Sequence, residues 1–316
     1  MSSKQLSLRR SVFFVLFAIS LSMQSQQNPV GGFFYPSPLP DNRRITGLAI
    51  SEGIAFTGTI FVLQYLWYKN YPRSRFHFFN DNLEWLQMDK LGHATTAYNL
   101  GVLGTDVYRW AGMSQRNAIW CGGLGGLLFL VTIEVFDGFS SGWGFSGGDM
   151  LANSAGAGLA IGQYLGWNEQ RIQLKFSYHR SMYSKYRPEE LGKTWAQSIL
   201  KDYNGQSYWV SANIASFLPG SSPFPKWLNL ALGMGAEGMI SGRQTDAAAA
   251  KDAASKTAFV RERRLFISPD IDFRRIQTGE QPSAIFFKSI NFIKVPAPAL
   301  EFRPGIKKFR GHLLYY

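Results

Sequence analysis

Eight side chains in three short segments carry the titratable and amide groups from which a site could be built. "MDKLGHATTAY" (88–98) holds Asp89, Lys90 and His93. "TIEVFDG" (132–138) holds Glu134 and Asp137, and "GFSGGDMLANSAG" (144–156) holds Ser146, Asp149 and Asn153. Asp89 and His93 are four apart, so a helix starting at Met88 stacks them on one face. Glu134 and Asp137 close one apolar stretch. Asp149 and Asn153 open the next, behind a glycine turn in which Ser146 is placed to cap the helix and Asp149 to close an acidic capping box.

Three chemistries fit these types. His93 with Glu134, Asp137 and Asp149 could hold a divalent metal, since imidazole and carboxylate suit zinc or iron. His93 paired with Asp89 or Glu134 could work as an acid–base centre, the carboxylate orienting the ring. Lys90 and His93 set against the acids could form a hydrogen-bonded ionic network, because an unpaired charge in apolar surroundings is costly. The network or binding reading carries the most weight, over Asp89, Lys90, His93, Glu134, Asp137, Ser146, Asp149 and Asn153. The catalytic candidates are His93, Glu134 and Asp149, and no metal or cofactor is assigned.

All three clusters sit at the ends of helix-length apolar stretches, which run over 46–68, 92–111, 115–136 and 148–166. Short loops between antiparallel helices would let alternate ends meet. Glycines spaced by four, Gly158, Gly162 and Gly166 in one stretch and Gly122 with Gly126 in another, predict close backbone approach. From about residue 170 the apolar period changes from 3.6 to 2. "YWVSANIASFL", "LNLALGMGAEGM" and "RLFISPDIDFRRI" each set an apolar face against small, polar and charged residues. A strand between lipid and a polar lumen shows this alternation, and so does a half-buried soluble sheet. Pro269 predicts an edge or bulge. "RQTDAAAAKDAASKTA" (243–258) reads as a long mobile loop or a frayed helix, and "SAIFFKSINFIKV" (283–295) as an amphipathic, interfacial or packed segment.

Composition points to the cell envelope. Aromatics at 15% are high and charged residues at 17% low, while a mean hydropathy of −0.10 is too low for a dense bundle of membrane helices. Residues 1–25 read as a signal peptide, with basic "MSSKQLSLRR", apolar "SVFFVLFAISLS" and processing near Ser25. A linker over 26–45 follows, then a helical unit over 46–168 and a β-rich region over 169–316. Cys121, the only cysteine, allows no internal disulfide and reads as a buried inert thiol. The net charge of +12 lies partly in the signal segment and otherwise in loops, as suits anionic lipid head groups or a solvated rim, and no nucleic-acid motif is present. Gly311, Leu314 and Tyr316 in "FRGHLLYY" resemble the carboxy-terminal targeting signal of outer-membrane barrels, with Phe309 as a departure.

"DKLGHATTAYNLGVL", the helix ending "EVFDG" and "GWGFSGGDMLANSAGAGLAIG" together resemble the YfiM-type family of periplasmic lipoproteins of unknown function. They are more distantly similar to the VanZ-like membrane family. The likeness spans about residues 85–166. It implies a compact helical envelope unit with Asp89, Lys90, His93, Glu134, Asp149 and Asn153 as signature positions, and it implies no reaction. This chain lacks a lipoprotein cysteine after the export segment and carries a β-rich extension. Attachment by that extension in place of a lipid is an expectation.

The expected fold is a membrane-associated α+β chain, a bundle of about four apolar helices followed by a β-rich region able to form a small barrel. About eight strands could fit at ~10 residues each plus turns. The expected role is an outer-membrane-associated accessory or binding protein, with a polar helix-end site for a lipid, a glycan or a partner protein. Its partners would be membrane lipid and an outer-membrane protein complex. Two alternatives stand: an enzyme acting on an envelope lipid through His93 with Glu134 or Asp149, and a polytopic inner-membrane protein.

Overall fold

The computed structural model describes residues 32–66, 71–243 and 259–316. The signal segment, the first part of the linker and residues 244–258 of the alanine-rich stretch lie outside the described residues. Seven helices and six strands are present among the described residues. Four long helices come first: α1 (Asn42–Leu66), α2 (Met88–Trp110), α3 (Gln115–Gly138) and α4 (Gly147–Trp167). Then follow β1 (Ile172–Tyr178), the short helices α5 (Pro188–Leu191) and α6 (Trp195–Lys201), β2 (Gln206–Asn213), β3 (Leu228–Glu237) and β4 (Glu262–Ile271). Helix α7 (Gln281–Ile290) precedes β5 (Ala297–Arg303) and β6 (Lys308–Tyr315).

Helix α2 is the centre of the helical unit, packed between α3 and α4. Its contact with α3 is nearly backbone on backbone. A Cβ added to Gly122 would lie 2.1 Å from the Thr105 amide nitrogen, and one on Gly104 would lie 2.7 Å from Gly122 Cα. Only glycine permits that approach. Gly158, Gly162 and Gly166, which the spacing also marked for close packing, have nothing within 4 Å of an added Cβ. Their stripe on α4 faces away from α2. Cys121 is exposed, not buried, because the turn that puts Gly122 against α2 puts its neighbour on the outer face of α3.

The six strands form one antiparallel meander in the order β1 to β6. The sheet is not closed into a barrel. Two features oppose closure: α2 and α4 pack on the outer face of β1, where Leu174 joins the Tyr98–Ile119–Tyr164 cluster, and residues 292–294 occupy the free edge of β1 through two bonds to Phe176. Pro269 lies opposite Leu230 of β3, beyond the point where the β4–β5 ladder has ended, so its missing N–H leaves no β5 partner unserved.

Polarity in this sheet is inverted. The inner face buries Lys175, Ser211, Arg264, Asp270 and Glu301, while Val210, Leu230, Leu232, Leu265, Ile267 and Leu300 stand exposed on the outer face. The buried charges are paired: Lys175 Nζ lies 2.8 Å from Asp270 Oδ2, and Arg264 Nε 2.7 Å from Glu301 Oε1. Trp209, Phe266 and Tyr315 fill the space between them. Helix α1 shares this character, since none of the residues in its apolar stretch Asn42–Tyr65 is buried in the rest of the chain. By length and composition α1 and α3 are the two described helices able to cross a membrane.

Candidate functional site at the helix ends

The start of α2 is set by an unusual turn. Trp85, Leu86 and Gln87 all have positive φ (47°, 52° and 62°), a conformation that costs an L-residue roughly 1–2 kcal/mol each. The turn is held by Trp85 N–H bonding the Gly242 carbonyl at 2.9 Å and Gln87 N–H bonding the Glu84 carbonyl at 2.9 Å. It delivers Asp81 from the preceding loop to the first turn of α2, beside Asp89 and Lys90.

Lys90 is the hub. Its ammonium donates to Asp81 Oδ1 at 2.7 Å, Asp89 Oδ2 at 3.0 Å and Asp149 Oδ1 at 2.9 Å. One turn further along α2, His93 Nδ1 donates to Asn153 Oδ1 at 3.0 Å. An amide oxygen can only accept, so Nδ1 carries a proton. The other ring nitrogen, Nε2, lies 3.6 Å from Glu134 Oε1. Ser146 caps α4 by accepting from the Asp149 amide at 3.1 Å, and its hydroxyl donates to Asp81 Oδ1 at 2.7 Å. The expected capping box is only half formed. Ser146 N–H bonds Glu134 Oε2 at 3.2 Å, which leaves the Asp149 carboxylate free to meet Lys90.

The ends of α2, α3 and α4 thus converge, bringing Asp89, Lys90, His93, Glu134, Ser146, Asp149 and Asn153 into one cluster. Asp137 stands one turn beyond Glu134 and acts on it through charge. Asp81 was missed by sequence reading. The only signal for it was the turn-forming "NDN" (80–82) ahead of the helix.

Burial shapes the titration of this cluster. Glu134 is 1% exposed; burial, then the charges of Asp149 and Asp137, push its carboxyl up to about 8. Burial, opposed by His93, raises Asp149 to about 6. Burial also raises Asp89. Lys90 is held above the usual lysine range, the Asp89 charge and the bonds to Asp81 and Asp149 outweighing burial. Asp81 is lowered in spite of burial by its bonds with Asp149, Lys90 and Ser146. Carboxylic acids poised near neutrality beside an imidazole can exchange protons or receive a cation.

The cluster forms one end of a cleft of about 1220 Å³, larger than the ~300–1,000 Å³ of ordinary small-molecule sites. Helix α2 is its floor. Leu48 and Leu63 of α1 with Phe129 and Ile133 of α3 line one side, and Leu174 of β1 with Ile285 of α7 line the other.

No curated protein and no solved structure matches the chain. Residues 77–165 match the family model described as "Predicted periplasmic lipoprotein (DUF2279)". That segment contains every residue of the cluster from Asp81 to Asn153, and the match fits an exported, envelope-associated protein of the kind that family comprises.

Proposed function

We propose that the protein is a membrane-associated envelope protein that holds an amphiphile in the α2 cleft, its head group at the His93–Glu134–Asp149 end and its chains along the apolar floor. The observation that carries this reading is the cleft itself: one large cavity, apolar along most of its walls, ending on a buried polar cluster. The inverted sheet and the largely exposed α1 support lipid contact, because exposed leucine and isoleucine over a buried ionic face is the polarity of a surface facing lipid. Within this reading the outer membrane is the home membrane, and the YfiM-type and VanZ-like likeness belongs to the same proposal. Lipid recovered from the purified protein tests it. About one amphiphile per chain is expected in organic extracts, falling at least fivefold in Leu103→Arg, where an exposed leucine of the cleft becomes a charge. Equal lipid in both proteins would refute the assignment.

One observation favours a second reading, an enzyme acting on an envelope lipid. His93 Nε2, oriented by Asn153, faces Glu134 at 3.6 Å, a geometry suited to general acid–base work on a head group held between them. This reading expects an unprocessed lipid to accumulate in cells carrying a folded His93→Ala variant. An unchanged lipid profile in that strain and in a deletion strain would sink it.

A further inference from the structure

We infer that His93, Glu134 and Asp149 form a binding site for a single divalent metal ion of the zinc class, open toward the cleft. One donor atom from each lies within 4.8 Å of the other two. Zinc bonds of ~2.0–2.2 Å at tetrahedral angles require donor spacings of about 3.4 Å. The His93–Glu134 spacing of 3.6 Å already meets that, so small side-chain rotations complete the set.

The histidine is prepared as a ligand. Its Nδ1–H is fixed on the Asn153 oxygen, the outer partner that orients a metal-binding imidazole and leaves Nε2 as donor to the ion. As it stands, Nε2 and Glu134 Oε1 face one another at 3.6 Å, longer than a hydrogen bond and close to the spacing of two ligands of one ion. Among the described residues Glu134 has no lysine or arginine partner; His93 is its sole ion-pair contact. Lys90 serves Asp81, Asp89 and Asp149 instead. Five carboxyl groups, Asp81, Asp89, Glu134, Asp137 and Asp149, thus crowd around one lysine, an acid-rich donor set that suits a divalent cation.

A second observation points to something held there. Asn153 is fully buried, and its Nδ2 has no hydrogen-bond partner. A buried amide donor without an acceptor is rare in a finished site. An oxygen carried by the ion, from water or from a head group, would supply the acceptor. With two carboxylates and one imidazole as the donor set, zinc or a first-row neighbour fits better than calcium or magnesium, which take six or more oxygens or keep their waters. Three protein ligands leave the fourth position open.

The site stands apart from the amphiphile reading, since it is tested without lipid. The full chain, purified in detergent and stripped with a chelator, is titrated with Zn²⁺ by calorimetry and with Co²⁺ by visible absorption. One saturable equivalent and a four-coordinate cobalt spectrum are expected. His93→Ala and Glu134→Gln should each weaken zinc binding at least tenfold, while Glu169→Gln, on the surface, leaves it within twofold. Glu134→Gln keeps an acceptor for the Ser146 amide, so it serves if His93→Ala fails to fold. No saturable uptake, or uptake indifferent to both substitutions, overturns the inference and leaves a proton as the only occupant between His93 and Glu134.

Discussion

Lys90 and Asp149, 59 positions apart in sequence, meet with Nζ and Oδ1 at 2.9 Å. The same ammonium also serves Asp81 and Asp89, so one half-buried lysine neutralises the converging ends of α2 and α4. Lys90→Met should therefore leave carboxylates buried without a counter-charge, at a cost of about 3–5 kcal/mol. Denaturant unfolding followed by tryptophan fluorescence measures it. A loss below ~1 kcal/mol would mean that the cluster is far better solvated than its geometry implies.

The α2–α3 contact predicts a sharp difference between two glycines. Gly122→Ala places a methyl 2.1 Å from the Thr105 nitrogen and must push the helices apart, a loss of about 1–3 kcal/mol or more. Gly158→Ala meets nothing within 4 Å and should be neutral or stabilising by up to ~1 kcal/mol through helix propensity alone. Thermal melts of the two variants side by side decide it, and similar melting points would contradict the packing described.

Lys294 gives the sheet interior a pH dependence. Its side chain is fully buried. It sits 4.0 Å from Asp270, whose other oxygen is already taken by Lys175 at 2.8 Å. Burial, with the Lys175 charge adding to it, lowers Lys294 from 10.5 to about 8. Between those values the unfolded chain holds a proton that the folded chain has shed, so stability rises as pH increases from about 8 to 10.5. The gain is about 3 kcal/mol, with other titrations held equal. Unfolding midpoints of the wild type and Lys294→Met, compared across that range, should show a slope in the first that is reduced in the second. Parallel profiles would contradict it.

The outer face of the sheet predicts where substitution is costly. Leu232 is 57% exposed, and in water Leu232→Arg would shift stability by no more than ~0.5 kcal/mol. Against lipid the same change costs about 2–4 kcal/mol near the bilayer midplane. Refolding into vesicles, scored by protease protection, separates the two, and wild-type behaviour of the variant would argue against lipid contact on that face.

The cluster residues were legible because helix ends announce themselves. Ser146 before two glycines and an aspartate marks a cap, and the Asp89–His93 spacing marks a helix face. Convergence was legible only as an allowance of short loops, since packing distance has no one-letter signature. The strand alternation was legible, but its direction was not, since a lipid-facing strand and a half-buried soluble sheet share the period and differ in which face turns inward. The open sheet was not foreseen, because closure depends on what occupies the edge and outer face of β1, and residues 292–294 reach it from over a hundred positions away. Asp81 escaped because its role depends on the left-handed turn at Trp85–Gln87, a conformation none of those residue types favours.

Tryptophan quenching by a brominated-acyl phospholipid tests the central claim most directly, because Trp85, Trp110 and Trp143 line the α2 cleft. Saturable quenching is predicted for the wild type and loss of the saturable component for Leu103→Arg at matched folding. Quenching that rises without saturation, equally in both proteins, would contradict an amphiphile seated in the cleft.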